Sequence, residues 1–209
     1  MAQYFEVHPQ HPQPRLLKQA AAILQQGGVA AVPTDSSYAL VCHLDDKSAV
    51  DALRRIRAVD ERHHLTLLCR DLSELASYAR VDNQQYRLLK MATPGPYTFI
   101  LEATKEVPRR VSHPSRRTIG LRVPKSPLAL ALLEELNEPL LTSTLILPGD
   151  EAPLAEADEI RANLEKLVDL IIDAGRCGID MTTVINLTGA APELVRAGQG
   201  PLEPFGLEA

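Results

Sequence analysis

The chain has 209 residues, 45% hydrophobic and 23% charged, the balance of a globular protein with a full core and not of a disordered one. Its formal net charge of -5 excludes a general polyanion binder, so any contact with nucleic acid needs a local basic patch. Cys42, Cys69 and Cys177 are an odd set without a C-x-x-C pair, which gives neither a disulfide framework nor a zinc site; Cys42 and Cys69 sit in or beside apolar runs as small buried hydrophobes.

The opening MAQYFEVHPQHPQPR carries acid, histidine and prolines where a signal peptide needs an apolar stretch. No apolar run approaches the roughly 20 residues of a spanning helix. A cytoplasmic protein with no membrane partner is therefore expected. YFEVH (4–8) reads as a strand. Pro12 and Pro14 precede a helix with Leu16, Leu17, Ala20, Ala21 and Leu24 on one stripe, closed by Gly27 and Gly28. The strand VAAVPT (29–34), a helix over 48–57 and the strand LTLLC (65–69) follow. DLSELASYA (71–79) has an aspartate N-cap with Glu74 three residues on, a capping-box pattern, and a further helix spans about 82–92.

The strand TFILEA (98–103), a basic loop and the strand TIGLRV (118–123) make up the middle of the chain. Pro127 opens a helix, LLTSTLIL (140–147) is apolar enough for a buried strand, and PGDEAPLAEAD (148–158) reads as a mobile loop. An acidic helix (156–166) leads to VDLIID, then to TTVINL and ELVRAG as a hairpin across GAAP. Short strands alternating with helices predict one α/β domain over 1–209, a mixed parallel and antiparallel sheet with helices outside.

Four segments place hydroxyls, glycine or a fixed charge at strand ends: PTDSSYAL (33–40), TPGPYTFIL (93–101), TIGLRVP (118–124) and LLTSTLILPG (140–149). In the first, Thr34 to Ser37 form either a turn that satisfies its own backbone or a turn whose hydroxyls face a cleft. In the second, Tyr97 and Phe99 are scaffold, and Thr98 alone is able to face a cavity. On the third, Thr118, Gly120 and Arg122 share one strand face, because side chains alternate. Arg122 has two competing partners, a ligand anion or an internal carboxylate. Thr142 and Thr144 share a face of the fourth, suited to phosphate oxygens or to simple strand propensity.

Arginines cluster twice, at Arg54, Arg55, Arg57 and Arg62 and at Arg109, Arg110, Arg116 and Arg117. Such runs are solvated surface or a local positive field for phosphates or RNA. No Walker loop, G-x-G-x-x-G, G-x-S-x-G or H-E-x-x-H pattern is present, and the adjacent His63 and His64 do not suit a shared metal.

Taken in order, PTDSSYAL, TPGPYTFIL, TIGLRVP, the TST strand, TTVINL and VRAGQG resemble the YrdC/YciO family over roughly residues 15–200. YFEVHPQ, CRDLSEL and TKEVPRR are similar to its YciO branch. The resemblance implies a twisted mixed sheet with surrounding helices and a deep, positively lined central cavity. It implies kinship with L-threonylcarbamoyladenylate synthase, which uses ATP, L-threonine and bicarbonate in the t6A pathway of tRNA modification. ATP and Mg2+ would be required where that chemistry is retained, with no metal held by the protein itself. The reading the resemblance implies is a YciO-type nucleotide- or RNA-binding protein related to that synthase, with an active synthase and a double-stranded RNA-binding module without enzymatic activity as the alternatives.

The family's K-x-R pair falls on Arg57 and Val59, and its S-x-N pair on Thr144 and Ile146. The match assigns Arg57 a catalytic role and Arg57, Thr118, Thr144 and Arg196 to nucleotide, and Thr142 joins them as the same-face neighbour of Thr144. It assigns Ser36, Arg122 and Thr182 to the amino-acid substrate. Arg54, Arg55, Arg109, Arg110, Arg116 and Arg117 are the expected RNA-binding set.

Overall fold

The computed structural model describes residues 1–208 and builds on a sheet of ten strands. In chain order the first half contains β1 (Gln3–Glu6), α1 (Pro14–Gln25), β2 (Ala30–Pro33), β3 (Tyr38–His43), α2 (Lys47–Arg57), β4 (Thr66–Leu68), α3 (Leu72–Tyr78) and α4 (Asn83–Ala92). The second contains β5 (Tyr97–Glu102), β6 (Thr118–Arg122), α5 (Pro127–Leu136), β7 (Leu140–Thr144), α6 (Ala157–Leu164), β8 (Leu170–Asp173), β9 (Thr183–Asn186) and β10 (Glu193–Arg196).

The strands lie in the order β1-β8-β2-β3-β7-β4-β6-β5-β9-β10. Parallel pairs join β1 to β8, β8 to β2, β4 to β6 and β5 to β9. The other neighbours are antiparallel, so the sheet is mixed, as expected.

Local chemistry sets the helix ends. Pro14 opens α1, and Gly27 takes the left-handed turn after it with φ 88°. Asp46 caps α2 by accepting from the Ala49 N–H. Asp71 caps α3, but Glu74 accepts from the Arg70 N–H and not from that of Asp71, so the expected capping box does not close. A closed box forms instead at α4, between Asp82 and Gln85.

The turn expected at 34–37 is present, but no strand was expected directly after it, and Tyr38–His43 forms the interior strand β3. Its residues form a continuous apolar run, because both faces of β3 are covered. The expected mobile loop is also anchored: the Leu154 N–H donates to the Leu145 carbonyl, and Pro153 to Ala155 are buried.

The two faces of the sheet are covered differently. One carries Leu40, Leu67, Leu121, Leu141, Phe99 and Ile171 and packs under α2, α3, α4 and α6. The other carries Ala30, Val32, Val41, Leu68, Leu140 and Ile172 and packs under α1 and α5. Those two helices lie against one another and cover the β8–β2–β3 side of that face, with Leu140 of β7 and Leu68 of β4 at the edge of the same cluster. Past that edge the second face is left open over Thr66, Gly120, Ile100, Thr98 and Val184, and the cavity lies there.

Candidate functional site

The strand register assembles the cavity floor. Thr142 pairs with Thr66, Thr66 with Gly120 and Gly120 with Ile100, while Thr98 pairs with Val184. Paired residues share a face, so small and hydroxyl side chains form a row on the uncovered half. A cavity of about 480 Å³ lies over it, with Arg57, Arg62, His63, His64 and Arg196 among its walls. Gly120 keeps that floor low: a Cβ there would sit 2.7 Å from Thr66 Oγ1.

Two irregularities bring in the cations. On β10 the register slips between Leu194 and Arg196, and this bulge turns both Val195 and Arg196 toward the cavity. The Arg196 guanidinium donates to the Thr182 carbonyl at 2.9 Å, and the Thr182 hydroxyl meets Thr98 Oγ1 at 2.9 Å. On β7, Thr142 is paired with Thr66, the first residue of β4, so Ser143 and Thr144 run past that neighbour. Arg57 enters through the notch. Its Nε donates to Ser143 Oγ at 3.1 Å and its Nη1 to the Ile146 carbonyl.

The cavity's lining residues include no carboxylate. Burial lowers the Arg57 and Arg196 guanidinium from the ordinary arginine value, though arginine stays charged at any physiological pH. Burial, and then the nearby Arg57 and Arg54, hold His63 below the ordinary imidazole range. Burial, and then His113 and Arg116, do the same for His64. His64 stacks on His113 with ring centroids 4.9 Å apart and meets Thr118 Oγ1 at 3.1 Å. The site thus holds three fixed positive charges beside two imidazoles that resist protonation.

The predicted residues divide into three groups. Arg57, Thr142, Thr144, Thr182 and Arg196 line the cavity together. Thr118 does not line it, but holds His64, which does. Ser36 and Arg122 lie apart from the lining: Arg122 is buried in an ion pair with Asp35 and donates to Ser36 Oγ at 3.0 Å. Of its two competing partners, the internal carboxylate is the one Arg122 meets in this structure. The Thr34 hydroxyl donates to the Ser37 carbonyl at 2.7 Å, so that residue serves its own turn.

Of the expected RNA-binding set, Arg54 is internal. It is buried and donates to the carbonyls of Asp60 and Arg110, tying α2 to the basic loop and offering no surface to RNA. Arg110 is bonded to the Asp45 carbonyl, while Arg55, Arg109, Arg116 and Arg117 are exposed. Val59, half-buried just past the helix, is absent from the lining, whereas Ile146 belongs to it. Thr66 was missed, since a lone threonine in LTLLC carries no signal beyond strand propensity.

The family model for Sua5, YciO and YrdC, described as telomere recombination, matches residues 22–198. The chain belongs to the Sua5/YciO/YrdC family. It is 53% identical to the uncharacterized protein YciO of Escherichia coli K12 over 98% of this chain and 100% of that one. The crystal structure of E. coli YciO superposes with a TM-score of 0.96 over the same shares. A threonylcarbamoyl-AMP synthase of Halorhodospira halophila is 31% identical over 85% of this chain and 92% of its own. Sua5 of Pyrococcus abyssi, solved in complex with L-threonine, is 25% identical with a TM-score of 0.89, over 97% of this chain and 59% of its own. Within the Sua5/YciO/YrdC fold, the chain is thus similar to YciO over its full length and related more distantly to the synthases.

Proposed function

We propose that this chain binds a nucleotide by its phosphates in the 480 Å³ cavity and carries out a slowed form of the synthase reaction. The observation that carries the reading is the convergence of Arg57, Arg62 and Arg196 on a row of hydroxyls with no carboxylate among the lining residues. Such a site favours phosphate over any cation or neutral ligand. Kinship with threonylcarbamoyl-AMP synthases, and with a Sua5 solved with L-threonine, supports ATP and threonine as the substrates.

In that reaction the threonine amine takes up bicarbonate with loss of water, giving a carbamate. A carbamate oxygen then attacks the α-phosphorus, the bond to the β-phosphate breaks and pyrophosphate leaves. Catalysis of this kind is positioning plus stabilisation of phosphate charge. Arg57, Arg62 and Arg196 supply the charge, and Thr98 and Thr182 meet the polar groups of the amino acid. The cavity offers Mg2+ no carboxylate, so the ion enters on the ATP phosphates.

The slowing has two causes. Arg57 is already engaged by Ser143 and the Ile146 carbonyl and must leave both to reach a phosphate. Ile146 also presents carbon where the synthase pattern has asparagine, and a missing hydrogen bond to a charged group costs about 1.5–3 kcal/mol. The test is pyrophosphate release with ATP, threonine and bicarbonate, beside a threonylcarbamoyl-AMP synthase as reference. The expected result is release that needs all three substrates, runs well below the reference and rises about tenfold in Ile146→Asn. Failure to bind ATP at millimolar concentration, or release indifferent to threonine, would overturn the reading.

A further inference from the structure

A second cavity, of about 460 Å³, lies on the other side of the loop that carries His113. Arg80, Lys105, Arg109, Arg116 and Arg117 line it, with Glu102 as the single acid. Glu102 offsets little: it sits 3.8 Å from Arg80, with both side chains mostly exposed. The other four cations have no ion-pair partner among the described residues. Five positive charges gathered in one hollow of a protein with a net charge of -5 repel one another, and the surplus acid of the chain lies elsewhere.

The backbone of the loop is also held in an uncommon shape. Arg117 has φ 53°, a left-handed conformation that a side-chain-bearing residue rarely adopts. Its N–H donates to the His113 carbonyl at 3.0 Å and its carbonyl accepts from the Ala103 N–H at 2.9 Å, so both ends are pinned. That conformation places the Arg116 and Arg117 side chains in the same cavity, although neighbours on an extended chain would diverge.

We propose that this hollow is a second anion site, built for a ligand that carries several phosphate charges. Its size matches that of the nucleotide cavity, and one phosphate would leave most of its five cations unmatched. The same chemistry comes from a free polyphosphate or from the backbone of an RNA strand. The site is separate from the nucleotide cavity and does not depend on the synthase reading.

The test is titration calorimetry with inorganic tripolyphosphate, followed by fluorescence anisotropy with a short RNA duplex across a salt series. Three proteins are compared: wild type, the exposed-surface variant R109A/R116A/R117G, and the cavity variant R57A/R196A. Glycine at 117 keeps the positive φ, and Arg116→Glu alone is a second, milder probe. Two sites are expected in wild type, with one lost in each variant. Should the nucleotide cavity bind nothing, a single site remains and R109A/R116A/R117G removes it. A single site that R57A/R196A removes, or no binding of either probe, overturns the proposal. Duplex binding weakened at least tenfold in R109A/R116A/R117G, with a salt slope reduced by roughly one for each contact removed, identifies RNA as the source. Tripolyphosphate binding alone identifies a free polyphosphate.

Discussion

Two arginines show how a single residue type divides between scaffold and site. Arg122 is 6% exposed and paired with Asp35, with Ser36 and Thr34 as further acceptors. Burial pulls its guanidinium down from the ordinary value, and Asp35 opposes that pull. Removing one partner of a buried pair leaves an uncompensated charge and costs about 3–5 kcal/mol. Asp35→Ala should therefore lower the melting temperature by roughly 6–20 °C, at about 2–4 °C per kcal/mol for a chain of this size. A melt within 2 °C of wild type would show the pair to be dispensable. Arg57 is only half-buried and reaches open cavity, so its loss should be felt in binding. Arg57→Ala is expected to weaken ATP binding about 10- to 150-fold by calorimetry, the equivalent of one charged hydrogen-bonded contact, with little change in melting.

At the scale of elements, the site depends on where strands and helices stop. Helix α2 ends at Ala58, which takes the left-handed conformation with φ 50° that glycine adopts without strain. Relief of about 1–2 kcal/mol of strain, less the greater freedom of glycine in the unfolded chain, leaves a gain of about 0.5–1 kcal/mol. Ala58→Gly should raise the denaturant midpoint accordingly. Arg54, Arg55 and Arg57 fall in the last turn of the same helix, where positive charge complements the helix dipole. That accounts for Arg55 without any ligand. Gly120 acts at the sheet surface: an added methyl meets Thr66 Oγ1 at 2.7 Å, the Leu65 carbonyl at 3.2 Å and Thr98 Cγ2 at 3.3 Å. Gly120→Ala should cost about 1–3 kcal/mol by overpacking and reduce nucleotide affinity together with stability. Unchanged affinity would mean that the ligand does not descend to the β6 backbone.

Over the whole molecule, the excess of acid and the local concentration of base make ligand binding and stability respond oppositely to pH. His63 and His64 both titrate below the ordinary imidazole value of about 6.5 in the folded protein. As pH falls, the unfolded chain takes up these protons first, so their contribution to stability is full above that value. It is lost as pH falls through the folded values. A bound polyanion favours the protonated rings, so affinity for ATP should rise over the window in which the melting temperature drops. Melting curves and titrations at pH 7.5, 6.5 and 5.5 check both trends, and His63→Gln with His64→Gln should flatten them. A parallel decline of affinity and stability would show that the imidazoles do not face the phosphates. The three cysteines take no part. All are buried, and the Cys42 thiol is pushed up to about 12 by burial, so it offers no thiolate.

Periodicity, proline and glycine placement, and N-cap residues determined most of the helices and strands, because those signals act within a few residues of the chain. The order of the motifs pointed to the family, the shared strand face of Thr142 and Thr144 to a cavity, and the family resemblance to Thr182. The sequence left open whether Arg122 met a ligand or a carboxylate, because Asp35 lies 87 positions away and only the β2–β3 turn folding over β6 joins them. It also hid β3, whose apolar run has no alternation to read. Nothing local showed that Arg54 is internal, that a bulge turns Arg196 inward, or that a loop divides two basic hollows. Those features come from strand order and register, which are set by the packing of distant segments against one another and not by any one of them.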